Sequence, residues 1–197
     1  MKTFKLLLAA IGATALAGAL VSSASARNFS LSHQTFRGAF REVRLVLAFG
    51  TVNCQMTLEG SLHARTMPKV AGSLIGYVTR AILGPCASGT TTILTETLPW
   101  HLRYRSFTGT LPNIGRFSAD IINMGIAARE PGGIRCLVRT TVRDFLVWAF
   151  WFAVSRGTLV GAIPSGPECI GGTVNASSDE GPVMVLGSTT VITLTLI

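Results

Sequence analysis

Acidic side chains are scarce in this 197-residue chain, where nine Asp and Glu face seventeen Lys and Arg for a formal charge of +8. Lysine itself occurs only at positions 2, 5 and 69. Stretches of Ala, Leu, Glu and Lys at helical spacing are missing, which argues against an α-helical domain. No G-x-S-x-G, H-E-x-x-H, C-x-x-C or Gly-rich phosphate loop is present, so the sequence gives no ground for a known serine-hydrolase, zinc-protease, thiol-redox or nucleotide-binding centre. The three histidines, His33, His63 and His101, lack the spacing of a metal-ligand set, and neither a metal nor a cofactor is expected. Nucleic-acid binding has net charge in its favour but no module signature, and is not expected either.

What is present begins with an export signal. Lys2 and Lys5 precede an uncharged stretch from Leu6 to Val21, and Ser22-Ser23-Ala24-Ser25-Ala26 follows. Early positive charge, an apolar centre and an A-x-A ending are the parts of a cleavable signal peptide. Cleavage is expected after Ala26, and Gly12, Thr14 and Gly18 dilute the apolar run below what a membrane anchor requires. Residues 1–26 are therefore read as the signal and 27–197 as one β domain, secreted and then extracellular or associated with the cell envelope, with no membrane span after cleavage.

An exported chain with an even set of cysteines, Cys54, Cys86, Cys136 and Cys169, is expected to form disulfides. Three pairings are open. Cys54–Cys86 with Cys136–Cys169 closes two loops of similar length and is the expected one. Beyond Ala26 the basic residues are Lys69 and fourteen arginines. Arginine suits bidentate capture of carboxylate or phosphate, and outside a cell such a surface fits anionic envelope polymers; a GC-rich genome writing Arg for every positive charge would give the same count.

Thr, Val and Ile are abundant and Gly and Pro punctuate at short intervals, the pattern of an all-β, antiparallel sandwich or barrel. The clearest strand is Cys54–Arg65, with Cys54, Met56, Leu58, Gly60, Leu62 and Ala64 on one face and Gln55, Thr57, Glu59, Ser61, His63 and Arg65 on the other. Further strands are expected near Phe40–Ala48, Leu74–Leu83, Thr90–Leu98, His101–Phe107, Phe117–Ala127, Ile134–Val142, Phe145–Val154 and Thr189–Ile197. Turns are expected at Gly84-Pro85, Leu111–Asn113, Pro131–Gly133 and Ser165–Pro167. Gly89–Leu98 matches Gly187–Leu196, Gly72–Gly76 matches Gly157–Gly161, and Gly84-Pro85-Cys86 matches Gly166–Cys169. The matches suggest two pseudo-symmetric units, about 37–110 and 117–197, although Thr- and Val-rich strands also match by chance.

Chemistry has few places to reside. Glu59, His63 and Arg65 share one strand face, and Trp100–Arg105 alternates so that His101, Arg103 and Arg105 share another. Glu96 stands where the matching segment has Leu194, which would place a carboxyl among apolar neighbours if that face is buried. If these strands lie close together, Glu59, His63, Glu96 and His101 form a candidate acid–base cluster, with Arg65, Arg103, Arg105 and Trp100 as candidate binding residues. A solvated, ion-paired sheet face has the same pattern. The apolar run Phe145–Val154, with five aromatics, reads as a strand buried on both faces in the centre of the sandwich; a sugar-stacking platform or a lipid- or protein-contacting surface are its other readings.

The segments Thr57–His63 (TLEGS-x-H), Leu74–Tyr77, Leu98–Tyr104 (LPWH-x-x-Y) and Phe107–Pro112 resemble a family of uncharacterised secreted actinobacterial proteins. The likeness is good over Val52–Ile114 and loose elsewhere apart from Ile192–Ile197. It implies export and bacterial origin and no mechanism. The expected function is a secreted, non-enzymatic β protein that binds or decorates the envelope through an Arg-rich face. A hydrolase or lyase using the Glu/His cluster, and a self-assembling surface protein, are the alternatives.

Overall fold

The computed structural model describes residues 28–47, 50–110, 114–129, 135–148, 151–153, 157–159, 173–176 and 183–197. The expected signal peptide, Cys169 and the turns at 111–113, 131–133 and 165–167 lie outside them. Fourteen strands and one short 3-10 turn make up the described elements: β1 (Asn28–Leu31), β2 (Thr35–Leu47), β3 (Gly50–Leu62), β4 (Thr66–Pro68), β5 (Leu74–Cys86), β6 (Thr90–Ile93), the turn Thr95–Thr97, β7 (Trp100–Thr108), β8 (Arg116–Arg129), β9 (Arg135–Trp148), β10 (Trp151–Ala153), β11 (Gly157–Leu159), β12 (Thr173–Ala176), β13 (Val183–Val185) and β14 (Leu194–Leu196). The fold is all-β, and every strand pairing is antiparallel.

A large sheet runs β10-β9-β8-β7-β5-β3-β2-β12-β11, with β13 added to β2 and β6 to β8, and a small sheet runs β14-β1-β4. At the ends of the large sheet β11 approaches β9. Residues of both sheets share one hydrophobic core. Phe29 of β1 meets Tyr104, Phe107 and Phe117 edge-on at 5.3–5.4 Å between ring centres, each contact worth about 0.5–1.5 kcal/mol beyond simple burial. Leu31, Met67 and Leu196 join it from the small sheet, against Phe36, Leu58, Val78, Leu102 and Ile121 of the large one.

The alternation read from β3 sets this arrangement. Val52, Cys54, Met56 and Leu58 are buried, and Gln55 is exposed. The strand ends at Leu62 rather than Arg65, because beyond that point the His63 N–H bonds the carbonyl of Ile75 and the chain turns into β4. Gly60 is required where β3 crosses Phe36: a Cβ there would meet the Tyr77 carbonyl and stand 2.7 Å from the Phe36 ring.

Several expectations need correction. Gly84-Pro85 is not a turn but part of β5, which continues to Cys86. Proline at this place removes one N–H, which a strand end tolerates. The strand expected over Thr90–Leu98 stops at Ile93; Thr97 then bonds the Leu94 carbonyl through both its N–H and its hydroxyl, closing the 3-10 turn before the cis Leu98-Pro99 bond. Gly125 lets that turn lie against β8, since a Cβ there would come within 2.5 Å of Thr97. The run Phe145–Val154 is not one central strand: its backbone forms the end of β9 and, through β10, a pairing of Trp151 opposite Trp148 at the end of the sheet order. Its side chains lie outside the described residues. The two copies of the strongest internal match also part company, since β6 pairs with β8 in the large sheet and β14 with β1 in the small one.

Cys54 and Cys86 form a disulfide directly across β3 and β5. The Thr91 hydroxyl lies 2.8 Å from the Cys54 sulfur, and since a disulfide sulfur carries no hydrogen the hydroxyl is the donor. Cys136 is also disulfide-bonded. Among the described residues no helix is long and apolar enough to cross a membrane.

Candidate functional site

The face of the large sheet turned away from the core carries the candidate residues, and strand register arranges them in rows. In the first row Arg37 of β2, Glu59 of β3 and Arg80 of β5 stand directly opposite one another. The Glu59 carboxylate lies 3.8 Å from Arg37 Nε and accepts from Arg80 Nη1 at 3.2 Å. The next row places Ser61, Tyr77 and His101 opposite one another on β3, β5 and β7. A third sets Arg103 against Asp120 of β8. Arg103 donates to Asp120 Oδ2 through Nη2 at 2.7 Å and Nε at 3.3 Å, and Arg105 lies 3.5 Å from Oδ1. Rows succeed one another by two residues along a strand, roughly 7 Å.

Both outer rows follow one design. Each carboxylate is almost fully enclosed, at 12% and 6% exposure for Glu59 and Asp120, while its arginines are 40–66% exposed. An isolated carboxylate so placed would be strongly disfavoured, and two guanidiniums satisfy it. Solvent around the arginines screens these pairs, so their net contribution to stability is well below that of a fully buried pair. Among the described residues, each row sets two arginines against one acid.

Between these rows Tyr77 links the two histidines. His63 stacks on it at 4.6 Å with 29° between the planes, and His101 meets it edge-on at 5.0 Å. The strands β3 and β7 are therefore not neighbours: β5 separates them, and its tyrosine makes the connection. Nδ1 of His101 is buried with no hydrogen-bond partner.

The four candidate acid–base residues fall into three constellations. Glu59 belongs to the first arginine row, His63 and His101 to the Tyr77 stack, and Glu96 to neither. Glu96 sits in the 3-10 turn, 58% exposed, accepting from Arg139 Nη2 at 2.9 Å; the strand that would have carried it among apolar residues ends three positions earlier. Of the candidate binding residues, Arg103 and Arg105 are on the outer face as the alternation requires. Trp100 is fully buried and donates its indole N–H to Thr97 Oγ1 at 2.8 Å. Arg65 donates to the carbonyls of Ser32 at 2.6 Å and Leu31 at 3.3 Å, fastening the end of β1. His33 is exposed beside the Ser32 hydroxyl. Among the described residues no group of three or more His, Cys, Asp or Glu gathers to hold a metal.

Sequence reasoning missed Arg37, Tyr77, Arg80 and Asp120. Asp120 had a legible signal: a lone acid inside the apolar run Phe117–Ile122 must find a cation if that run is buried. Arg37 and Arg80 had none, because only strand register sets them against Glu59. Comparison with known proteins finds no match for this chain, whether among family models, curated proteins or solved structures.

Proposed function

We propose that this protein is an exported, non-enzymatic binding protein whose arginine-bearing sheet face docks on anionic polymers of the cell envelope. The observation that carries the reading is the pair of Arg–carboxylate–Arg rows on one face, Arg37–Glu59–Arg80 and Arg103–Asp120–Arg105. A buried carboxylate between two arginines holds both guanidiniums in place and, among the described residues, leaves a net positive charge at each row. Ordered guanidiniums lose less conformational freedom on capturing a polyanion than free ones. The signal-peptide pattern of residues 1–26 and the likeness of Thr57–His63 and Leu98–Tyr104 to secreted bacterial proteins give the setting.

The test is retention on immobilised wall teichoic acid, an anionic sugar-phosphate polymer, eluted with rising salt. The wild-type protein is expected to elute at higher salt than an Arg37→Gln, Arg80→Gln, Arg103→Gln, Arg105→Gln variant of unchanged circular dichroism, because exposed charges are screened as ionic strength rises. Equal elution of the two proteins would refute the reading.

A further inference from the structure

Not every arginine of the outer face has an acid beside it. Where β6, β8 and β9 run together, strand register sets Thr90, Arg129 and Arg135 directly opposite one another. Their chain neighbours Ala128 and Cys136 belong to the core, and Thr91 meets the Cys54 sulfur. Strand alternation therefore turns Thr90, Arg129 and Arg135 outward together, and all three are exposed.

This row inverts the design at Glu59 and Asp120. Directly opposed side chains stand roughly 4.5–5.5 Å apart at Cβ, and like charges so placed destabilise a strand pair. Among the described residues neither Arg129 nor Arg135 takes part in an ion pair. The next row along, Thr92–Ala127–Leu137, carries no charge. Beyond it the Glu96 carboxylate is already held by Arg139.

These surroundings select the occupant. Two unopposed positive charges call for an anion, and a zwitterion would bring an ammonium group for which the row has no carboxylate. A carboxylate lays both its oxygens in one plane and suits a single guanidinium fork. A phosphate group is tetrahedral, so it presents oxygens to two forks from different sides and can also accept from the Thr90 hydroxyl. We propose that Thr90, Arg129 and Arg135 form a phosphate-binding site. It lies apart from the rows at Glu59 and Asp120 and does not rest on the polymer-docking reading.

The experiment is an NMR titration of the 15N-labelled protein with inorganic phosphate at constant ionic strength, following the Nε–H signals of Arg129 and Arg135. Saturable shifts of both are expected. Acetate in place of phosphate, and phosphate with the Arg129→Gln or Arg135→Gln variant, should each bind about tenfold more weakly or worse, the scale of one charge-assisted hydrogen bond. Arg143→Gln, which alters an exposed arginine elsewhere on β9, should leave the affinity unchanged. In phosphate-free buffer Arg129→Gln should unfold at a urea concentration no lower than the wild-type protein, because the opposed charges are relieved. Acetate matching phosphate, unaltered affinity in Arg129→Gln and Arg135→Gln, or a lower urea midpoint in Arg129→Gln would overturn the proposal. Glycerol phosphate, a monoester, and a short poly(glycerol phosphate), whose links are diesters, identify the source. Tighter binding of the monoester assigns the site to free phosphate or chain ends, and tighter binding per phosphate of the polymer assigns it to links within a chain. Teichoic-acid retention of the same samples keeps the two readings separate. Retention that depends on Arg37, Arg80, Arg103 and Arg105 without phosphate shifts removes this site alone, and phosphate shifts with equal elution remove the polymer-docking rows alone.

Discussion

Arg103 and Asp120 occupy opposed positions on neighbouring strands and are joined by two hydrogen bonds to one carboxylate oxygen, the shorter 2.7 Å. The pairing is asymmetric in burial, with the acid enclosed and the base half in water. Removing the base is therefore the more damaging change. Arg103→Ala, which leaves the enclosed carboxylate with Arg105, is expected to cost about 2–3 kcal/mol, and Asp120→Asn about 1 kcal/mol less, both figures reduced from those of fully buried pairs because the guanidiniums are solvated. Urea denaturation of the two variants checks the order; Asp120→Asn proving the worse would contradict it.

The Cys54–Cys86 bond closes a loop with a sequence separation of 32 residues. Chain-entropy arithmetic for such a loop gives roughly 3–4 kcal/mol. A Cys54→Ala, Cys86→Ala variant is expected to lose about that much stability and to leave Thr91 without its sulfur acceptor. Unfolding under matched conditions measures it. A loss under about 1 kcal/mol would show that the β3–β5 ladder needs no covalent tie.

Gly60→Ala should be severely destabilising. Its new methyl would run into backbone at Tyr77 and sit 2.7 Å from the Phe36 ring, and strands paired on both sides cannot shift independently. The expectation is about 3 kcal/mol or more, at the upper end for overpacked sites. Gly72→Ala, at a turn glycine with open space around it but φ of +87°, should cost about 1 kcal/mol through backbone strain alone. Thermal melts that rank the two in the opposite order would show the close contact at Gly60 to be accommodated.

Burial pushes the phenol of Tyr104 above its ordinary ionisation range. A folded pKa above the unfolded one means that the native state holds its proton more tightly. Its contribution is present in full below the unfolded value of about 10 and is lost as pH rises through the higher folded value. Stability measured by denaturant should fall with increasing pH above 10, and Tyr104→Phe should fall less steeply. Identical slopes for the two proteins would assign the alkaline loss to other groups.

Local pattern carried the fold class further than it carried the site. The alternation in Cys54–Leu62 needs only the period of a strand, so its buried face and the presence of an antiparallel sheet could be read directly. The Cys54–Cys86 pairing is one of three that the sequence leaves open, expected on loop length alone; the register of β3 and β5 is what puts the two cysteines opposite one another. Nor could the place of Glu96 be read. Its neighbours fit a strand by composition; what ended that strand was a local turn, Thr97 bonding back to Leu94, which a long-range contact admits by leaving space for Thr97 over Gly125. Trp100 was misplaced for a related reason. A strand shows which residues share a face but not which face meets the core, and Trp100 belongs with Leu102 and Tyr104 on the inner one. The arginine rows depend on register between strands far apart in sequence, and register is not written in any one strand.

Phe29, the aromatic centre of the core, is held by a strand whose partner is β14, with Phe29 opposite Leu196. That places order in time as well as in space. As the chain emerges, the large sheet's β2–β3–β5 ladder can begin to form from nearby segments. The lid over Tyr104, Phe107 and Phe117 stays incomplete until residues 194–196 arrive to flank β1. Contacts of such wide sequence separation form slowly, and until they do the aromatic face of the sheet is open to any other apolar surface it meets. The hazard ends when β14 pairs with β1 and Leu196 comes to lie opposite Phe29.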